Sequence, residues 1–218
     1  MKRFIIRLLY VVLGQMLFGL GVSMTIMANV GYAPWEVFHA GLGNVMGLTI
    51  GVVSIIAGAV ILIIVTALGE KIGLGTILGM TLTGVFIDLT LYIGFIPLAE
   101  EFYIGVIMLI GGLFVISLGT YFYIKSAFGA GPRDNLMVVM TRKTKLPVGL
   151  CRGAVEALAT LIGWLLGGMV GYGTIISAVA VGFCIQITFR ILRFDPTAIK
   201  HENLAETFKL LVRNDKRS

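Results

Sequence analysis

The chain has 218 residues, of which 58% are hydrophobic and 13% charged, with a net charge of +6. A soluble domain of this size carries about 25% charged residues. Too little polar surface remains to coat a water-exposed core, which excludes the soluble globular class. The positive balance does not call for nucleic acid, because the basic residues gather at segment ends and in the tail, as they do beside anionic lipid.

In chain order, Lys2, Arg3 and Arg7 precede an uncharged run over 8–27. That run is about twice the length of a signal-peptide core and has no small-x-small exit, so it is expected to stay as a first span. Further uncharged runs cover 48–68, 102–124 and 172–189, each near the roughly 20 residues needed to cross a bilayer. Two equally apolar runs carry charge: 74–96 holds Asp88, and 148–168 holds Arg152 and Glu156. Six transmembrane helices are predicted. Between spans one and two, and again between four and five, a Gly-x-x-Pro turn introduces a short helix, 35–46 and 133–145. Each of these is too short to cross, and is either re-entrant or lies on the interface.

The connections give an orientation. The N-terminus, residues 125–147 and the C-terminus are rich in Lys and Arg. Residues 28–47 carry only Glu36 and His39, and 97–101 carry Glu100 and Glu101 with no base. With six spans, the basic segments share one side, so both termini are expected in the cytoplasm.

A shift of 98 residues aligns 14–89 with 112–187 at eighteen identical positions. Residue frequencies alone would give about six, so an internal repeat is expected. Gly31 matches Gly129, Pro34 matches Pro132, and Gly75-Thr76 matches Gly173-Thr174; Trp35 falls opposite Arg133, and Glu36 opposite Asp134. Three spans per copy would make the second copy enter the bilayer from the other side, as in many secondary transporters. The expected architecture is therefore all-α: two inverted three-helix repeats, 1–97 and 98–194, each with its extra short helix, and a cytoplasmic tail over 195–218. In the tail, Asp195-Pro196 can start a helix, with Leu204, Phe208 and Leu211 at helical spacing.

The stretches "GYAPWEVFHAGLG", "GLTIG", "GLGT", "GAGPRDNLM" (including Gly131) and "GYGT" resemble the YczE/YyaS/YitT group of bacterial multipass membrane proteins, and most of all its YczE-like branch. The resemblance covers roughly residues 10–190. It implies an integral membrane protein and assigns neither a substrate nor a catalytic residue.

Six residues are candidates for substrate binding: Glu36, Asp88, Arg133, Asp134, Arg152 and Glu156. Ionisable groups within spans are costly and mark pathways. Each also has a structural reading. Arg152 and Glu156 are four apart and can pair on one face. Glu36 and Asp134 can serve the dipole of the helix they begin. Asp88 has no basic residue one turn away, and Arg133 or Arg152 are its possible partners from the other half. His39 and the two cysteines suit packing; no metal or cofactor site is predicted. Trp35 and Trp164 suit interfaces. The leading functional expectation is a small transporter with its solute between the repeats. The alternative is a non-transporting membrane partner, such as a substrate-binding component or a stabiliser of another protein; the expected partners are the lipid bilayer, an unknown small solute, and a protein partner or a second copy of the chain. An enzyme is not expected, because a Gly-x-Ser-x-Gly elbow, a His-Glu-x-x-His helix and any His cluster are lacking; without a Walker motif, any ATP drive would come from another chain.

Overall fold

A computed structural model describes residues 2–208. Eight helices follow one another: α1 (Lys2–Met27), α2 (Pro34–Met46), α3 (Ile50–Ala67), α4 (Leu74–Ile93), α5 (Phe102–Lys125), α6 (Pro132–Thr144), α7 (Val148–Leu165) and α8 (Tyr172–Ile191). A short 3-10 turn, Pro196–Ala198, comes after them, and no strand occurs among the described residues. Six helices are long and apolar enough to span a membrane: α1, α3, α4, α5, α7 and α8. α6 to α8 begin and end 98 residues after α2 to α4, so the repeat in the sequence is also a repeat of structure.

The local chemistry sets the short helices. Gly31 (φ 110°) and Gly129 (φ 125°) turn the chain at angles that a side chain resists. Pro34 and Pro132 then occupy the first helical turn of α2 and α6, where the missing N–H is no loss, and Glu36 and Asp134 follow in that same turn.

α1 and α5 cross at the centre, backbone to backbone. A Cβ on Gly14 would stand 2.8 Å from the Gly119 carbonyl, and one on Gly21 2.7 Å from that of Gly112. Residue numbers rise along α1 as they fall along α5, so the two helices run antiparallel. Small residues allow this approach, and between apolar helices in lipid such close packing replaces the hydrophobic effect as the cohesive force. Val22, Ile87, Leu113, Ile116 and Cys184 pack around the crossing. α4 flanks α1, and α8 flanks α5.

The Gly-x-Gly-Thr stretches join the halves. The Gly75 N–H donates to the Phe128 carbonyl at 2.8 Å, and the equivalent Gly173 N–H donates to Val30 at 2.7 Å. Thr76 Oγ1 donates to the Ala130 carbonyl at 2.7 Å. It also accepts from the Gly73 N–H, as Thr174 accepts from Gly171. Each helix start is thereby tied to the turn before the other half's short helix. α2 lies against the end of α7, where Asn44 donates to the Gly167 carbonyl; α6 lies against the end of α3, where Arg142 donates to Leu68.

The tail differs in detail from its expectation. The Asp195 carboxylate accepts from the Thr197 N–H and hydroxyl, which holds it below the usual carboxylate range, but the turn it caps ends at Ala198. Helix resumes at Leu204, behind a capping box in which Asn203 and Glu206 bond each other's backbone N–H. Leu211 lies outside the described residues. Residue 202 is anchored: Glu202 takes a 2.7 Å bond from Arg7, and its N–H donates to the Ala127 carbonyl.

Candidate functional site

A cavity of about 260 Å³ lies between the halves. The first turns of α2 and α6 form part of its wall, with Trp35 and Glu36 from one and Arg133 and Asp134 from the other. α7 adds Arg152 and Glu156. Five of the six candidate binding residues thus share one chamber. Most of the remaining lining is apolar.

In its wall the Arg133 guanidinium carbon sits 4.5 Å from the middle of the Trp35 ring. Arg133 Nη2 also lies 3.4 Å from His39 Nε2. His39 is 1% exposed, and its Nδ1 has no partner. Among the described residues no carboxylate comes within 4.0 Å of Arg133. Its planar fork, suited to carboxylate or phosphate, is held by an aromatic face and an imidazole rather than neutralised by direct contact. Glu36 is 6% exposed, whereas its counterpart Asp134 opens onto the chamber. Arg152 Nε donates to Glu156 Oε1 at 2.8 Å, the i,i+4 pair expected from the spacing. Arg152 is half exposed and Glu156 mostly covered.

Asp88 stands elsewhere. Thr49 donates to its Oδ2 at 2.5 Å, and the Gly51 N–H donates to Oδ1 at 2.9 Å. The carboxylate of α4 therefore caps the start of α3, satisfying an end group that α3 leaves open. It does not line the chamber. The Gly, Pro and Thr positions of the two motifs shape the walls and join the halves, as described above.

Several lining residues were not singled out in the sequence. Gln15 and Thr83, hydrogen-bonded to each other, face the chamber from α1 and α4. Tyr123 lines it too, with a buried hydroxyl that has no hydrogen-bond partner. Gln15 had a readable signal: an amide inside an otherwise apolar span is costly unless it is used.

Residues 5–190 match the model of a family of unknown function, DUF6198. The chain belongs to this family. It is similar to the uncharacterized membrane protein YczE of Bacillus subtilis strain 168, 36% identical over 210 residues, which cover 94% of this chain and 92% of that protein. An uncharacterized protein of Haemophilus influenzae is 30% identical over 174 residues, 80% of this chain and 79% of the relative. YyaS of B. subtilis, also uncharacterized, is 28% identical over 187 residues, 84% and 92% of the two chains. No solved structure matches. This DUF6198 member is thus a membrane protein with six apolar spans and a charged chamber between two similar halves.

Proposed function

We propose that this protein is a small secondary transporter whose solute, zwitterionic or anionic, binds in the chamber between the repeats. One observation carries the reading: Trp35 and Arg133, equivalent positions of the two halves, touch each other inside the chamber, beside Glu36 and Asp134, which are also equivalent. A site on the axis relating two halves is where rocking one half against the other exposes the same groups to either side.

The antiparallel crossing of α1 and α5 supports the inverted arrangement. With three spans per half, the second half inserts in the opposite sense, the short helices approach from opposite faces, and the basic segments place both termini in the cytoplasm of a bacterial cell. Trp35 and Arg133 meet across no more than two side-chain lengths. Helices lying flat on opposite faces of a bilayer core about 30 Å thick could not make that contact. Their first turns are therefore partly inserted, with the chamber covering them. Two arginines and three carboxylates supply both signs of charge, which suits a solute carrying both, or an anion moved with a proton. No chemical conversion is assigned to the site.

The test is movement, in liposomes containing the purified protein, of radiolabelled zwitterions and anions: water-soluble amino acids and carboxylates, and amphiphiles bearing such headgroups. Flux by the wild type that is lost in Arg133→Gln and Glu36→Gln, both folded, supports the reading. A folded wild type that moves none of them opposes it and favours the accessory-subunit alternative.

A further inference from the structure

The two halves match in helix boundaries but not in closure. α3 and α4 are sealed: a Cβ on Gly51 would strike the Gly84 carbonyl, and Asp88 clasps Thr49 and the Gly51 N–H. The corresponding positions of the second half are Gly149, Gly182, Gln186 and Pro147. A Cβ on Gly149 or Gly182 meets nothing within 4 Å. No carboxylate stands where Asp88 does, and no hydroxyl where Thr49 does. α7 and α8 make at most marginal contact. α3 buries seven of its 18 residues and α7 only three.

The chamber lies behind this gap. Gly149, Arg152 and Glu156 fall on one stripe of α7, and Ala178, Val181, Gly182 and Ile185 on one stripe of α8. All of these except the two glycines line the chamber. An opening between two membrane-spanning helices faces hydrocarbon. It offers nothing to a water-borne solute, but it is the route that an amphiphile needs.

We propose that the gap between α7 and α8 is a lateral portal, through which the headgroup of a zwitterionic bilayer amphiphile enters the chamber while its tail stays in the lipid. This rests on the transporter reading and names its substrate class. Size agrees: about 260 Å³ falls below the roughly 300–1,000 Å³ of sites that engulf a drug-sized ligand, so a headgroup fits and a two-chain lipid does not. Charge agrees as well. Arg133 and Arg152 present forks to a phosphate, and Glu36, Asp134 and Glu156 face an ammonium. Arg152, half exposed and paired only with Glu156, can exchange that partner for an incoming phosphate as the ammonium meets the glutamate. The rim carries Ala178, Val181 and Ile185, over which an acyl chain can lie.

The experiment measures binding of short-chain phosphatidylethanolamine, labelled on its acyl chain with a fluorophore, to the detergent-purified full chain by anisotropy, with water-soluble phosphoethanolamine as a competitor. Gly182→Phe and Gly149→Phe fill the gap while leaving every charged side chain in the sequence, and Gly182→Phe does so from the helix that carries no charged chamber residue. Val85→Phe, on an exposed site of α4, controls for added bulk. Saturable binding weakened about tenfold by either glycine variant, unchanged in Val85→Phe and lost in Arg133→Gln supports the portal. Equal retention by all variants means adherent lipid and overturns it. If phosphoethanolamine binds, unaffected by Gly182→Phe, while the amphiphile does not, the portal is wrong and the chamber reading stands. If neither binds, the portal is overturned and the liposome flux decides the transporter reading. A dimer sealed through the α7–α8 face, with no probe bound, also overturns it in favour of a second copy.

Discussion

Trp35 and Arg133 hold the same place in the two halves of the chain, and the guanidinium of one lies over the ring of the other, 4.5 Å from its centre. Two positions matched by the 98-residue repeat thus meet in space. The contact is worth about 0.5–2 kcal/mol, toward the upper figure when desolvated. Trp35→Phe keeps an aromatic face and Trp35→Leu does not. The melting temperature of the purified protein is expected to fall in the order wild type, Trp35→Phe, Trp35→Leu. Equal melting of all three would show that the stacking contributes nothing.

Gly112 and Gly111 are neighbours with opposite surroundings. A Cβ on Gly112 would stand 2.8 Å from the Gly21 carbonyl, while one on Gly111 has Met24 Cε at 3.6 Å, an ordinary contact. Gly112→Ala is expected to destabilise by about 1–3 kcal/mol through overpacking, and Gly111→Ala by no more than about 0.5 kcal/mol. Thermal unfolding in detergent reads both. A reversal of the order would contradict the crossing.

Asp88 is expected to act on stability and not on the ligand. Asp88→Ala removes the acceptor for Thr49 and for the Gly51 N–H, a loss on the scale of a helix cap, about 1–2 kcal/mol. Whatever ligand affinity the folded fraction shows is expected to stay within about twofold of wild type. A tenfold loss of affinity in a well-folded Asp88→Asn would return Asp88 to the site.

Arg7 and Glu202 fix the start of the tail. Both side chains are about a quarter exposed, so the pair is worth no more than about 1 kcal/mol. Arg7 also lies 4.1 Å from the centre of the Phe128 ring and donates to the Ser126 carbonyl. Arg7→Ala is expected to speed proteolysis after residue 195 several-fold, and Glu202→Gln less so. Unchanged cleavage in Arg7→Ala would mean that the backbone bond of Glu202 to Ala127 suffices.

The spans were legible because lipid imposes a length and an apolar run on any helix that crosses it. The short helices were legible because Gly31 and Gly129 permit a turn that other residues resist, and Pro34 and Pro132 can begin a helix but not continue one. The i,i+4 pair of Arg152 and Glu156 followed from local spacing alone. What escaped was contact between segments distant in sequence. Asp88 gave no sign of capping α3, because its partners sit 37 and 39 residues away. Gly149 and Gly182 repeat Gly51 and Gly84 letter for letter, yet only the first pair touches. Whether two such helices close depends on their neighbours, here Thr49 with Asp88 against Pro147 with Gln186. The tail helix was expected from Asp195, while its described start is capped by Asn203.

The account stands on two halves set in opposite senses across the bilayer, and Lys71 and Met169 test it most directly. They are equivalent positions in the α3–α4 and α7–α8 turns, both exposed, and the two native cysteines are buried. Lys71→Cys and Met169→Cys are to be treated with a membrane-impermeant maleimide in right-side-out vesicles, before and after permeabilisation. The account predicts labelling of Met169→Cys at once and of Lys71→Cys only after permeabilisation. Labelling of both from the same side would contradict it.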